Sequence, residues 1–332
     1  PLQYLIAALI PTGYQIASLA ASLRFLFRRT APPRSTAPVS ILKPVRGLDE
    51  SFEDAIASHA CQDYPEFEIL FGVHSLDDPA VPAIRRLIEA HPNVRIRLIH
   101  SQVSTPNAKV GTLIELARQA RHPLLLVNDS DVTVPKDYLR RVAAPLLDDP
   151  GIGLVTCLYR SVSSSVAGQW EAFGIATDFI PSTLVAPLVG VKEFGLGSTL
   201  CFRRTDLDAI GGFDAVSSYI ADDYQLAKRI VAMDKRAHLS EVVVETHLSD
   251  PTIGSVWRHQ QRWARTIRVS RGDGYAGLPV THAGVWMIVF LLLGQPWMAA
   301  LCWLARTAAA CAAGVVLRQA SAIVLCWLAP LW

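Results

Sequence analysis

The chain predicts an α/β domain built on a mostly parallel sheet, with membrane-spanning helices at both ends. Three observations carry that expectation. Short β-like apolar runs at residues 39–43, 68–73, 94–99 and 124–127 alternate with helical stretches at 52–60, 81–90 and 109–120, and strands alternating with helices pair in parallel. The 332 residues are 51% hydrophobic and only 18% charged, with a mean hydropathy of +0.29, too apolar for an ordinary soluble domain. The apolar excess gathers at the two ends, in uncharged stretches long enough to cross a bilayer, which takes roughly 20 residues.

At the amino end, residues 2–23 carry no charge, and Arg24, Arg28 and Arg29 follow directly. The tendency of basic flanks to stay inside places the rest of the chain in the cytosol. A cleavable signal peptide is the rival reading, but the apolar stretch is longer than a signal core and the basic residues lie on the wrong side. Residues 1–29 are therefore expected to be an anchor. Residues 30–38, rich in Pro, Ser and Thr, read as a linker, and the globular domain is expected over 39–279. Its second half reads as a strand at 152–158, a strand at 195–202, a helix at 223–233 and an amphipathic helix near 256–269.

On that last helix Arg258, Arg262 and Arg265 share a face suited to anionic headgroups. Residues 280–332 form a C-terminal membrane region of two or three segments, the first at 283–305, with 307–332 apolar apart from Arg318. The chain opens without an initiator Met, which suggests a trimmed or mature start, and it stops at Trp332 within apolar sequence, which leaves open whether further residues follow.

The net charge of +2 is mixed along the chain and leaves no nucleic-acid footprint. Six cysteines show no Cys-x-x-Cys spacing and read as free, mostly buried thiols in a reducing compartment. No Walker lysine loop, dinucleotide glycine fingerprint or Gly-x-Ser-x-Gly elbow is present.

The chemistry-bearing signal follows the fourth β-like run, Leu124–Val127, at Asn128-Asp129-Ser130-Asp131. Alternate residues of a strand face the same way, so Asp129 and Asp131 can converge on a divalent cation. Mg²⁺ or Mn²⁺ takes oxygen ligands and is commonly held by one or two carboxylates plus substrate phosphates. Surface turns are also rich in Asp and Ser, so this pair is a weak signal alone. In an open α/β sheet, ligands sit outside the carboxyl ends of the strands, where Asp77 and Asp78 also fall.

Two later features add specificity: the acidic pair Asp222-Asp223 at the start of a helix, and His259-Gln260-Gln261-Arg262-Trp263. In this order, over about 39–279, the set resembles the family 2 type of glycosyltransferase. It resembles most closely the ceramide glucosyltransferase family, family 21, and its bacterial hopanoid-associated branch. Matching stretches include Ile41-Leu42-Lys43-Pro44, Asp77-Asp78-Pro79-Ala80, Gly153-Leu154-Val155-Thr156 and Trp263-Ala264-Arg265-Thr266.

The resemblance implies a GT-A-like domain and assigns roles. Asp223 would be the catalytic base, with Asp222 as its orienter. Asp78, or its neighbour Asp77, would meet the nucleoside end of the donor, with Lys109 and Asp129 near the nucleotide, while Asp129 and Asp131 would hold the metal. Arg262 can clamp phosphate in bidentate fashion, and Trp263 offers a flat wall to the acceptor. His259 stands where the family usually has Gln or Arg; it could bond diphosphate or merely pack, and histidine there looks typical of the hopanoid-associated branch.

The implied activity is inverting transfer of one sugar from a UDP-sugar to a hydroxyl of a membrane lipid. The expected pairs are N-acetylglucosamine to bacteriohopanetetrol, or glucose to ceramide. The enzyme would be integral to a membrane, the bacterial inner membrane, with its catalytic domain cytosolic. A processive polysaccharide synthase carries similar acids but needs a channel for its polymer, and so few membrane segments make a sparse channel. A catalytically silent nucleotide-sugar-binding module would be expected to have lost its acids.

Overall fold

The computed structural model describes residues 2–28, 36–249 and 251–332, with backbone alone for residues 2–9. Of the expected linker only residues 36–38 are described; the rest, like Arg29, lies outside the described residues. The chain divides into two compact units: a helical one made of Pro1–Arg29, Arg160–Val191 and Asp250–Trp332, and a sheet unit made of Thr30–Tyr159 and Lys192–Ser249.

In the sheet unit, β1 (Val39–Pro44), β2 (Phe67–Val73), β3 (Arg95–His100), β4 (Leu124–Val127), β5 (Val132–Thr133), β6 (Ile152–Val162), β7 (Leu200–Arg203) and β8 (Arg236–His247) form one sheet. Their order is β3-β2-β1-β4-β7-β6-β8-β5. The β3-β2-β1-β4 half is parallel. Beyond it, β7 pairs antiparallel with both β4 and β6, and β5 antiparallel with β8. The expected parallel arrangement thus describes the first half. The strand–helix–strand rhythm that imposes parallel crossovers holds through Val127 and stops there.

Side-chain alternation divides the core into two layers. From β4, Leu124 and Leu126 join Ile41, Phe71, Ile56 and Leu139 on one face, and Leu125 and Val127 join Leu42, Leu70, Leu113, Phe202 and Leu226 on the other. Near-continuous apolar strands are what a sheet covered on both faces requires.

The expected strand at 195–202 begins its ladder only at Leu200. The glycine-rich stretch before it turns, closed by a single bridge between Leu196 and Thr199.

In the helical unit, Leu2–Leu26 is one helix. Among the described residues, two helices are long and apolar enough to cross a membrane, Val166–Val189 and Pro296–Leu317. The bent pair Gly272–Thr281 and Ala283–Leu292, at 53°, would make a third if it is one broken span.

One expectation is corrected here. The single span at 283–305 is interrupted, because Gly294 takes the left-handed φ of +67° between Leu292 and Pro296, a conformation that favours glycine. The span at 166–189, which contains Glu171 and Asp178, was not anticipated. Past Leu317 the chain turns at Arg318 and continues only as short helical segments, Ala320–Val324 and Cys326–Leu331.

Burying a lone charge among apolar helices is costly, so such groups pair. Arg306, 2% exposed, donates from Nη2 to Asp178 Oδ1 at 3.1 Å.

Candidate active site

The acids gather where strand ends meet helix beginnings. Asp129, Ser130 and Asp131 bridge the end of β4 and the start of β5. Because β4 is paired with β1 and β7 and β5 with β8, both ends of the four-residue link Asn128–Asp131 are fixed. The antiparallel β7 brings the turn preceding it to the same edge, since Leu200 lies opposite Val127. Lys109 sits in the first turn of Ala108–Gln119, and Asp222 and Asp223 in the first turn of Asp222–Val231, where the helix dipole favours carboxylates.

Lys109 Nζ donates to Asp129 Oδ1 at 2.7 Å and stands 3.7 Å from Asp222 Oδ2. Asn107 Nδ2 donates to Asp222 Oδ1 at 3.3 Å and to the Tyr219 carbonyl at 2.8 Å, tying the two helix beginnings together. Burial works against the charge of Lys109, but Asp129, Asp222 and Asp223 outweigh it and hold its pKa above the ordinary lysine value.

Asp223 accepts from the N–H of Gly197 at 3.1 Å and from its neighbour Tyr224 at 2.7 Å. Burial, then the charge of Asp222, push its carboxyl up to about 6, with Lys109 opposing.

Gly197 lies at the centre of this group. A Cβ there would meet Asp129 Oδ2 at 3.2 Å, Asp223 Oδ2 at 3.4 Å and Lys109 Nζ at 3.7 Å. Asp129, Asp223 and Lys109 thus converge on one small space that a glycine leaves open.

Behind the Asp129–Asp131 link lies a buried network that the sequence did not single out as functional. Lys43, fully buried in β1, donates to the Asp129 carbonyl at 3.0 Å and faces His59 Nε2 at 3.4 Å. Burial brings its ammonium down to about 7 against the pull of Asp131 and Asp129. Burial, followed by Lys43, depresses the pKa of His59, whose Nδ1 lies 2.9 Å from the Ala55 carbonyl. Asn128 donates to Tyr138 Oη at 2.9 Å and to the Ser198 carbonyl at 2.6 Å. The only sequence hint was Lys43's place in a matching stretch; a lysine amid strand residues otherwise reads as a surface charge.

Asp78 has a structural task in full view. Its carboxylate accepts from the N–H of Gly47 at 3.0 Å and of Ala80 at 2.9 Å, pinning the loop after β1, where Gly47 has a φ of +81°. Asp77 is exposed. At the carboxyl ends of β2 and β3, His74, His100, Ser101 and Ala108 help to line a groove of about 380 Å³.

Among the described residues no group of three or more His, Cys, Asp or Glu could hold a metal by itself. The donor set at Asp129 and Asp131 is two hard carboxylates. Burial, then the charge of Asp129, lift Asp131 to about 6, so a cation there would offset charge the protein holds poorly. Two carboxylates, with further positions left to phosphate oxygens, suit Mg²⁺ or Mn²⁺.

Residues 3–331 match the profile of glycosyl transferase family 21. The chain belongs to this family. Among curated relatives of the family-21 chain, ceramide glucosyltransferase 1 of Caenorhabditis elegans is 26% identical over 74% of this chain and 53% of its own length. The beta-monoglucosyldiacylglycerol synthase of Synechocystis is 24% identical over 65% of this chain and 45% of its own. The chain thus spans about half the length of the curated relatives it matches.

Among solved structures, a mannosyltransferase from Pyrobaculum calidifontis in complex with GDP-Man and Mn²⁺ superposes with a TM-score of 0.55 at 24% identity, covering 96% of this chain and 92% of its own. The GalNAc-T7 structure with UDP, GalNAc and Mn²⁺ gives a TM-score of 0.50 at 10% identity, over 76% of this chain and 51% of its own. These similarities show the GT-A-like fold.

The remaining motif of the family-21 chain lies in the helical unit, on Ile253–Ser270. His259 and Trp263 turn toward the Val166–Val189 helix, whereas Arg262 is exposed with Arg258, Arg265 and Arg268. The motif is therefore split between two faces. The same helix exposes Ile253, Trp257 and Val269, and basic residues beside exposed apolar ones suit a helix lying in a membrane interface.

Proposed function

We propose that this chain transfers one sugar from a UDP-sugar to a hydroxyl of a membrane lipid, with inversion, at the cytosolic face of a bacterial inner membrane. The convergence of Asp129, Asp223 and Lys109 on the space left by Gly197 carries the reading. Relatives named for glucosyl transfer to ceramide and for a glucosyldiacylglycerol product support a lipid acceptor. The apolar helices and the arginine-faced helix support a bilayer source for it.

Asp223, with a carboxyl raised to about 6, is suited to take a proton near neutral pH, because a base works best when its pKa lies close to the operating pH. The acceptor oxygen forms its bond to the anomeric carbon as the bond to the diphosphate oxygen breaks. The hydroxyl proton passes to Asp223, and UDP leaves. Asp129 and Asp131 would hold Mg²⁺ or Mn²⁺, which when bound offsets the charge gathering on the leaving diphosphate.

Lys109 holds Asp129 in place and adds positive charge, while Asp222, bonded to Asn107, orients the start of the base's helix. Asp78 or Asp77 is assigned to the nucleoside end, Arg262 to diphosphate, and His259 and Trp263 to the acceptor side. His259 and the Gly153-Leu154-Val155-Thr156-Cys157-Leu158-Tyr159 stretch favour a hopanoid polyol taking N-acetylglucosamine over ceramide taking glucose.

The test is mass spectrometry of products from the purified chain in detergent. Ceramide, diacylglycerol and bacteriohopanetetrol are each offered with UDP-glucose and UDP-N-acetylglucosamine. A singly glycosylated lipid that disappears with EDTA and in Asp131→Ala is expected. A polymer, or product formation indifferent to EDTA and to Asp131→Ala, would overturn the assignment.

A further inference from the structure

The helix Val166–Val189 carries a carboxylate that its apolar character does not explain. Glu171 is 2% exposed, and a carboxylate buried to that degree is costly unless it is partnered. Both of its recorded partners come from the motif helix. His259 Nδ1 lies 2.5 Å from Oε1, and Gln260 Nε2 donates to the same oxygen at 3.3 Å.

The histidine ring is held from a second side by Trp263, edge-on at 4.8 Å between centroids. Trp263 in turn packs on Phe179 at 5.1 Å. Phe179 closes the wider π-helical turn Ile175–Phe179, a rare geometry often found at functional sites. Glu171 and Phe179, from one helix, therefore clamp the first and last members of the His-x-x-Arg-Trp motif. The opposite ring nitrogen, Nε2, has no hydrogen-bond partner among the described residues.

We infer that Glu171 is the positioning residue of His259: it fixes the Nδ1–H tautomer and presents Nε2 as an acceptor for a substrate hydroxyl. This rests on the reading of His259 as part of the site. The physical basis is general, because the hydrogen bond made by one ring nitrogen sets the state and direction of the other, and a base oriented by a carboxylate is a recurring catalytic unit. The hydroxyl belongs either to the donor sugar or to the lipid acceptor. Glu171 touches neither and acts through the imidazole.

The experiment joins spectroscopy to kinetics on the full chain in nanodiscs. With ¹⁵N-labelled histidine, and His259→Gln to assign the signal, the expected spectrum is the Nδ1-protonated tautomer. Glu171→Ala should shift it toward a mixture. Glu171→Gln, whose amide oxygen still accepts from Nδ1–H, should keep it.

In turnover, Glu171→Ala and His259→Gln should each lose roughly 10²-fold, the scale of a misplaced reacting group. The double variant should lose no more than the worse single one, and Glu171→Gln should recover most of the rate. A rise confined to the KM of the UDP-sugar assigns the hydroxyl to the donor; a rise confined to that of the lipid assigns it to the acceptor.

An Nε2-protonated His259 in the wild type, or single losses that multiply in the double variant, would overturn the inference. Should Glu171→Ala fail to fold, the Glu171→Gln comparison and the wild-type tautomer still decide it. The tautomer is read without turnover, so a chain inactive on every offered pair defeats the proposed function and leaves this inference separately answerable.

Discussion

In the sheet unit, charge is gathered by the backbone: strand ends and helix beginnings deliver Lys43, Asp129, Lys109 and Asp223 to one edge, and each is held by more than one contact. In the helical unit, the Arg306–Asp178 pair is set alone among apolar helices. Arg306 has one anchoring contact, to Asp178, and its Nε and Nη1 have no partner among the described residues. Networks with every member satisfied rigidify a site, whereas a lone buried pair fails when either partner is removed. Substitutions at the sheet edge should therefore cost activity more than stability, and those in the Arg306–Asp178 pair the reverse.

The largest effect expected at the sheet edge is Asp223→Asn, which should lower kcat about 10³-fold, within the range for removing a general base, with little change in thermal midpoint. Since a protonated Asp223 cannot accept the proton, kcat/KM of the wild type should fall as pH drops through about 6. On the other side of the comparison, Arg306→Met leaves Asp178 without its guanidinium and should destabilise the helical unit by about 3–5 kcal/mol, read as early loss of helicity on heating. Equal melting of Arg306→Met and wild type would break the comparison.

Lys43→Met should reduce turnover roughly 10-fold by releasing the Asp129 carbonyl, a loss of about 1.4 kcal/mol in transition-state stabilisation. It should also change the pH dependence of stability. The depressed Lys43 pKa, about 7, contributes stability that is present above the unfolded lysine value and lost as pH falls through 7. The raised Asp131 and Asp223, about 6, contribute stability that is present below the unfolded carboxylate value and lost as pH rises through 6. Chemical denaturation from pH 7 to 10 should show stability rising more steeply in the wild type than in Lys43→Met.

Gly197→Ala sharpens the picture with a smaller change. A methyl group 3.2 Å from Asp129 Oδ2 should raise the donor KM several-fold while the fold persists.

Much of the sheet unit was legible because its signals are local. Apolar runs of four to six residues, helices of about ten, and Asp-x-Asp after Val127 each declare themselves in a short window. Gly197 fell inside the expected strand at 195–202; its importance comes from β7 running antiparallel beside β4, a pairing no local pattern announces. Lys43 was masked by its strand.

The helical unit was less legible for a related reason. Residues 166–189 hold Glu171, Asp178, Pro181 and Pro187, which interrupt an apolar pattern that partners on distant helices make tolerable. Residues 283–305 carry no charge, which masked the break at Gly294-Gln295-Pro296, where the left-handed backbone of Gly294 appears only in three dimensions.

The account rests on Asp223 acting as base in a single displacement at the sheet edge, and the anomeric configuration of the product tests it most directly. Proton NMR of the glycolipid formed from an α-linked UDP-sugar should show a β-linkage, absent from Asp223→Asn reactions. An α-linked product, or a β-linked product formed equally well without the Asp223 carboxylate, would contradict it.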